Sequence, residues 1–209
     1  MQNKPDLTDG AGFHIIFVGR SNVGKSSIIR NLTGIKLRVG KRPGVTLKPI
    51  HVRLGDLLLT DMPGFGFMSG VKERKQDIVK DKIVHYIENN AESIDLAVMV
   101  IDGHSFLDIV TRWEKRGEIP VDIELFNFLN EMGISVILAV NKMDKIDQFI
   151  ADNVLDNIVE KLGLSSPWHL WQEIVVPVSA KQNDLKKLAS CIRQRMHRAR
   201  RDDLFKYIR

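Results

Sequence analysis

A strand-like apolar run, FHIIFV (Phe13 to Val18), leads directly into GRSNVGKSS. The second stretch contains G-x-x-x-x-G-K-S. A strand, that spacing and then a helix make the layout of a phosphate-binding P-loop, and they commit the chain to an α/β arrangement. Glycines let backbone N–H groups come close to phosphate oxygens, and the N-terminus of the following helix favours negative charge. The candidate phosphate-binding residues are Gly19, Arg20, Ser21, Asn22, Val23, Gly24, Lys25, Ser26 and Ser27. Lys25 is expected to reach the β- and γ-phosphates and Ser26 to ligate Mg²⁺.

Alternating strands and helices follow. A helix is expected over about Ser26 to Leu32. KPIHVRL and DLLLTD read as two strands joined at Gly55-Asp56. The segment VKERKQDIVKDKIVHYIENN places Ile78, Val79, Ile83, Tyr86 and Ile87 on one helical face. DLAVMVID and ISVILAV are short apolar runs suited to buried parallel strands. GHSFLDIVTRWEKRGEIP reads as a long loop before a helix at about Asp122 to Glu131. A further helix carries Ile150, Val154, Ile158 and Leu162, and EIVVPVSA is the last strand. The closing helix turns Leu185, Leu188, Ile192, Met196 and Ala199 inward. The pattern predicts a three-layer α/β fold with a mostly parallel central sheet flanked by helices, and ligands bind such sheets at the carboxyl ends of the strands.

At 209 residues, one such domain uses nearly the whole chain. The expected divisions are a flexible N-terminal segment 1–12, a single domain 13–200 and a basic C-terminal tail 201–209. One cysteine and six scattered histidines exclude a disulfide framework and give no metal-ligand spacing. The polar first dozen residues lack the apolar core of a signal peptide, and no apolar run is long enough for a bilayer. The expectation is a cytoplasmic protein, a monomer with no membrane contact. A net charge of +5 leans towards polyanionic partners.

A P-loop alone suits ATPases, small-molecule kinases and GTPases. Asn141, Lys142, Met143 and Asp144 narrow the choice, because they spell N-K-x-D directly after ISVILAV. The Asp144 carboxylate can accept from both guanine N1–H and the guanine 2-amino group. Adenine offers neither donor there, and a desolvated, unpaired carboxylate is worth several kcal/mol of discrimination. Asn141 can tie this loop to the P-loop.

Three further motifs sit at strand ends. In Asp61, Met62, Pro63 and Gly64, the Asp61 carboxylate acts on Mg²⁺ and the Gly64 N–H meets the γ-phosphate. In Gly44, Val45 and Thr46, the Thr46 hydroxyl is a second candidate Mg²⁺ ligand. Val178, Ser179 and Ala180, at the end of the last strand, would contact the guanine O6.

Together GRSNVGKSS, PGVT, DMPGFGF, NKMDK and VSA resemble the EngB family of the TRAFAC-class GTPases, over nearly the whole chain. The insertion from Ile101 to Gly133 looks like the archaeal branch. The resemblance implies a Ras-like G domain that binds GTP and GDP with Mg²⁺ and hydrolyses GTP. It implies a role on the large ribosomal subunit or its rRNA precursor, and in normal cell division and septation. A regulatory module in cell division with no RNA contact, and a P-loop kinase, stay open as alternatives.

In this framework Lys25, Thr46, Gly64 and Asn22 are the candidate catalytic residues. The residue after the DMPG glycine is Phe65, where many GTPases carry the Gln that orients the attacking water. A phenyl ring offers no hydrogen bond, so slow hydrolysis is expected. Asn22 looks like the asparagine with which relatives hold K⁺ beside the phosphates. The segments GIKLRVGKRPGVT and GFGFMSG are the expected switches. Lys36, Arg38, Lys41 and Arg42 form one candidate RNA surface, and Arg193, Arg195, Arg198, Arg200 and Arg201 another. Trp113, Trp168 and Trp171 are expected to pack against the protein rather than on bases.

Overall fold

The computed structural model describes residues 10–36, 48–65 and 73–209, the side chains of 73–77 excepted. Its centre is a six-stranded sheet in the order β2-β3-β1-β4-β5-β6. The strands are β1 (Phe13–Val18), β2 (Ile50–Leu54), β3 (Leu57–Asp61), β4 (Leu96–Asp102), β5 (Val136–Asn141) and β6 (Val175–Pro177). Only the β2–β3 hairpin is antiparallel, and every other neighbouring pair is parallel.

β1 shows why the layers form where they do. Side chains alternate across a strand. Phe13, Ile15 and Phe17 pack on one side of the sheet with α1 (Lys25–Thr33) and α6 (Lys186–Arg198). Ile16 and Val18 pack on the other with α2 (Glu73–Asn90), α3 (Phe106–Glu114), α4 (Val121–Glu131) and α5 (Ala151–Lys161). The result is helix, sheet, helix, as the motif order predicts. The chain steps one way from β1 to reach β3 and the other way to reach β4, so the crevice at the ends of β1, β3 and β4 lies at the reversal of strand order.

Several expectations need correction. The stretch that reads as a loop between β4 and α4 contains α3, whose Phe106 and Val110 are buried one turn apart. Polar residues around that pair dilute the helical period. On α2, Val79, Ile83 and Ile87 are buried, but Ile78 is 42% exposed because it lies off the stripe. Ile150 precedes α5 rather than lying inside it and is exposed, and Ala199 is exposed just past the end of α6.

Residues beyond α6 close the layer formed by α1 and α6. A 3₁₀ helix at Asp202–Tyr207 buries Leu204, and Ile208 follows it into the same cluster. The Arg209 N–H donates to the Leu32 carbonyl at 2.8 Å. Residues 1–9 and the segments 37–47 and 66–72 lie outside the described residues, and with them Gly44, Val45, Thr46 and most of both expected switches.

Candidate nucleotide site

The P-loop leaves β1 through Gly19, whose φ is +140°. A Cβ there would stand 2.2 Å from the Val100 carbonyl oxygen, so only glycine fits between β1 and β4. The loop turns through the left-handed region at Asn22 (φ 66°) and Gly24 (φ 105°), and α1 begins at Lys25. Lys25 is buried, and its ammonium donates to the carbonyls of Gly19 at 2.9 Å and Arg20 at 2.8 Å. Desolvation pushes its pKa down to about 8, against the pull of Asp61 and Asp122. A poorly solvated cation at the head of a helix is well matched to an anion.

Asp61 ends β3 and meets α1. The Ser26 hydroxyl donates to Asp61 Oδ2 at 2.5 Å. Asp61 Oδ1 is buried and makes no hydrogen bond among the described residues. Burial raises the pKa of this carboxyl, against the Ser26 hydrogen bond and the Lys25 charge. A hydroxyl and an unsatisfied carboxylate oxygen side by side make a donor set that suits a hard divalent cation. Ser26 and Asp61 therefore fit Mg²⁺.

Beyond Asp61 the chain docks on the P-loop. The Ser21 N–H donates to the Phe65 carbonyl at 2.9 Å, and the Ser21 hydroxyl to the Gly64 carbonyl at 3.1 Å. A Cβ on Gly64 would fall 2.7 Å from the Ser21 backbone, so this approach also requires glycine. Met62 and Pro63 are buried beneath it.

The N-K-x-D loop is stitched to both neighbours. Asn141 ends β5 and donates from Nδ2 to the Val23 carbonyl at 2.7 Å. Its Oδ1 accepts from the Ala180 N–H at 2.9 Å. Met143 N–H donates to the Val178 carbonyl at 3.2 Å. Asp144 Oδ1 accepts from the Ser179 hydroxyl at 2.6 Å. One buried amide thus joins the P-loop, the N-K-x-D loop and the end of the last strand.

Two partnerships here carry no signal in the sequence. Lys142, at φ 67°, pairs with Asp102 Oδ2 at 2.6 Å. Arg20 pairs through Nε with Asp122 Oδ2 at 2.5 Å; the Asp122 side chain is buried and that of Arg20 partly so. The partners are far apart in the chain, and only the fold brings them together.

The basic surfaces are reduced. Arg195 and Arg198 pair with Glu173, and Arg201 with Asp56 and Asp203. Arg193 donates to the Ile208 carbonyl. Arg195 and Arg198 on the last helix are therefore already paired within the chain. Arg38, Lys41 and Arg42 lie outside the described residues. Trp168 and Trp171 pack on the core beside α5.

The chain is similar to known GTP-binding proteins over most of its length. A family model described as "50S ribosome-binding GTPase" matches residues 14–142. A protein named "Probable GTP-binding protein EngB" from Methanosarcina barkeri is 59% identical over 206 residues, which span 99% of each chain. A protein of the same name from Methanosarcina mazei is 60% identical over 206 residues, again 99% of each. A crystal structure of a probable GTP-binding protein engB superposes with a TM-score of 0.80 at 47% identity, covering 88% of this chain and 99% of its own.

Proposed function

Because the chain belongs to the EngB family of GTP-binding proteins and carries its GTPase domain, we propose that it is a slow, Mg²⁺-dependent GTP switch in large ribosomal subunit assembly. Its cellular consequence is normal division and septation. The carrying observation is the junction at Asn141, which ties the P-loop at Val23 to Ala180, beside the Ser179 hydroxyl that bonds the Asp144 carboxylate.

In this reading Asp144 accepts from guanine N1–H and the 2-amino group. Lys25 turns from the loop carbonyls to the β- and γ-phosphates. The backbone of residues 19–27 cradles the phosphates, and the Gly64 N–H meets the γ-phosphate. Ser26, Asp61 and Thr46 would hold Mg²⁺, which would offset negative charge on the phosphates. Phe65 is 3% exposed and has no polar group with which to orient water. The intrinsic rate is therefore on the order of 10⁻⁴ to 10⁻² per second, as for GTPases without an activator. The exposed Asn22 is the residue we assign to K⁺.

Support for the ribosomal partner is the description of the matched family, "50S ribosome-binding GTPase". Net basic charge adds to it, with the first switch rather than the last helix as the RNA surface, since Glu173, Asp56 and Asp203 already occupy arginines of the last helix and tail. Among the described residues no helix is long and apolar enough to cross a membrane, and we place the action in the cytoplasm.

The test is sedimentation with large-subunit particles at two salt concentrations, with GDP or a non-hydrolysable GTP analogue. Tighter binding with the analogue, falling steeply with salt, is expected. Equal binding in both states, or none at low salt, would favour a division regulator without RNA contact.

A further inference from the structure

Arg20 is the P-loop residue whose side chain does most outside the loop. Its guanidinium is anchored on Asp122, beside the start of α4. It lies 5.9 Å from the ring centroid of Phe65 and 5.8 Å from that of Trp113 on α3. Its Nη2 is buried and makes no hydrogen bond among the described residues. The two aromatic rings are what answers that part of the charge, since a desolvated cation is attracted to ring faces. Four segments of the chain therefore meet on one side chain: the P-loop, the residue after the DMPG glycine, α3 and α4.

Phe65 meets the P-loop through the Arg20 side chain and through its own backbone. Arg20 and Phe65 form a parallel β-bridge, and the Ser21 N–H donates to the Phe65 carbonyl. On its other side the residue borders a cavity of about 400 Å³ between α2 and α4, lined among others by Ile83, Leu125 and Phe128. Phe65 thus lies between the Arg20 guanidinium and this cavity.

We propose that Arg20 is a positioning residue for GTP hydrolysis. Anchored on Asp122, it clamps Phe65 against the P-loop, holds the Gly64 backbone at the γ-phosphate, and carries a displacement of Gly64 to Trp113 and α3. The proposal rests on the reading above that Gly64 meets the γ-phosphate. It adds the coupling element, and it gives the nucleotide state an output on the α3–α4 face as well as in the switches. Asp122 acts through Arg20 and touches no phosphate.

The test is fluorine NMR of the full chain labelled with fluorotryptophan, combined with single-turnover hydrolysis and GDP titration. The Trp113 resonance, assigned with Trp113→Phe, is expected to differ between GDP and a non-hydrolysable GTP analogue. In Asp122→Asn that difference should vanish and hydrolysis should fall about tenfold, while GDP affinity changes less than threefold and the Trp168 and Trp171 resonances stay in place. Arg20→Lys, which keeps the charge but loses the planar fork, should also lose the Trp113 response. Trp113→Leu leaves the ion pair intact and should slow hydrolysis severalfold, which provides a reading even if Asp122→Asn folds poorly. A Trp113 resonance indifferent to nucleotide in the native chain would overturn the proposal. So would native hydrolysis in Asp122→Asn or Trp113→Leu, or a loss of GDP affinity in Asp122→Asn equal to its loss of rate. A native chain that binds no guanine nucleotide would instead overturn the functional reading on which the proposal stands.

Discussion

Ser179 donates its hydroxyl hydrogen to Asp144 Oδ1 at 2.6 Å, so the end of the last strand sets the angle of the carboxylate assigned to guanine. The same hydroxyl accepts the Gln182 N–H at 3.2 Å, which fixes its own orientation. Ser179→Ala removes both hydrogen bonds; losing the one to Asp144, worth about 1 kcal/mol, frees the Asp144 rotamer. GDP affinity should fall roughly fivefold, measured by equilibrium titration. Affinity unchanged within error would mean that Asp144 is aimed by its backbone alone.

Lys25 gives the nucleotide-free protein a pH dependence of defined sign. Its folded pKa of about 8 lies below the ordinary 10.5, mainly through desolvation. Between those values the unfolded chain binds a proton that the folded chain does not. Stability from this group therefore rises with pH across that window, and the full burden of about 3 kcal/mol is present below it. From pH 7.5 to 9.5 the native chain should gain roughly 2 kcal/mol relative to Lys25→Met, read from urea unfolding at each pH. A phosphate ligand raises the pKa again, so GDP binding near pH 8.5 should take up a proton, measurable by calorimetry in buffers of different ionisation enthalpy. Parallel stability curves for the two proteins would remove the desolvated lysine from the account.

Gly24 sits where the P-loop and the N-K-x-D loop touch. At φ 105° a side chain is strained, and its Cβ would stand 2.3 Å from Asn141 Nδ2. Gly24→Ala should push that amide off the Val23 carbonyl and separate the two loops. GDP affinity should drop at least ~10-fold, and the melting temperature by several degrees for a loss of about 2 kcal/mol. Native affinity in this variant would show that the Asn141 junction is dispensable.

The C-terminal segment offers a stability test. Truncation after Arg201 removes Leu204 and Ile208, which are 1% and 2% exposed. It also uncaps the Leu32 carbonyl and the Arg193 side chain. Burial of two such side chains contributes about 3 to 6 kcal/mol, and urea unfolding should show a loss of that order. A loss under about 1 kcal/mol would mark the segment as a loosely held tail.

The parts of the fold that could be read in advance are those set by neighbours in sequence. FHIIFV forms β1 at its expected bounds because its six residues are all buried, three on each face. The P-loop and NKMD could be read because four to nine consecutive residues carry their chemistry. What could not be read depends on distant partners. Arg20 and Asp122 look like ordinary surface charges until the fold pairs them and buries Asp122. Arg195 and Arg198 look like an RNA-facing cluster until Glu173 stands beside them. α3 reads as a loop because a nine-residue helix with two buried residues carries too little periodicity to stand out.

Guanine selectivity is the claim on which the rest depends, and Asp144→Asn tests it most directly. An amide presents a donor where xanthine has an acceptor and guanine a 2-amino group. Affinities for GTP and xanthosine triphosphate should be measured for the native and variant chains under one set of conditions. The account predicts that the native chain prefers GTP, and that the variant loses at least ~10-fold in GTP affinity and gains in affinity for xanthosine triphosphate. A variant that keeps native GTP affinity would contradict it, because the NKMD loop would then not be reading the base.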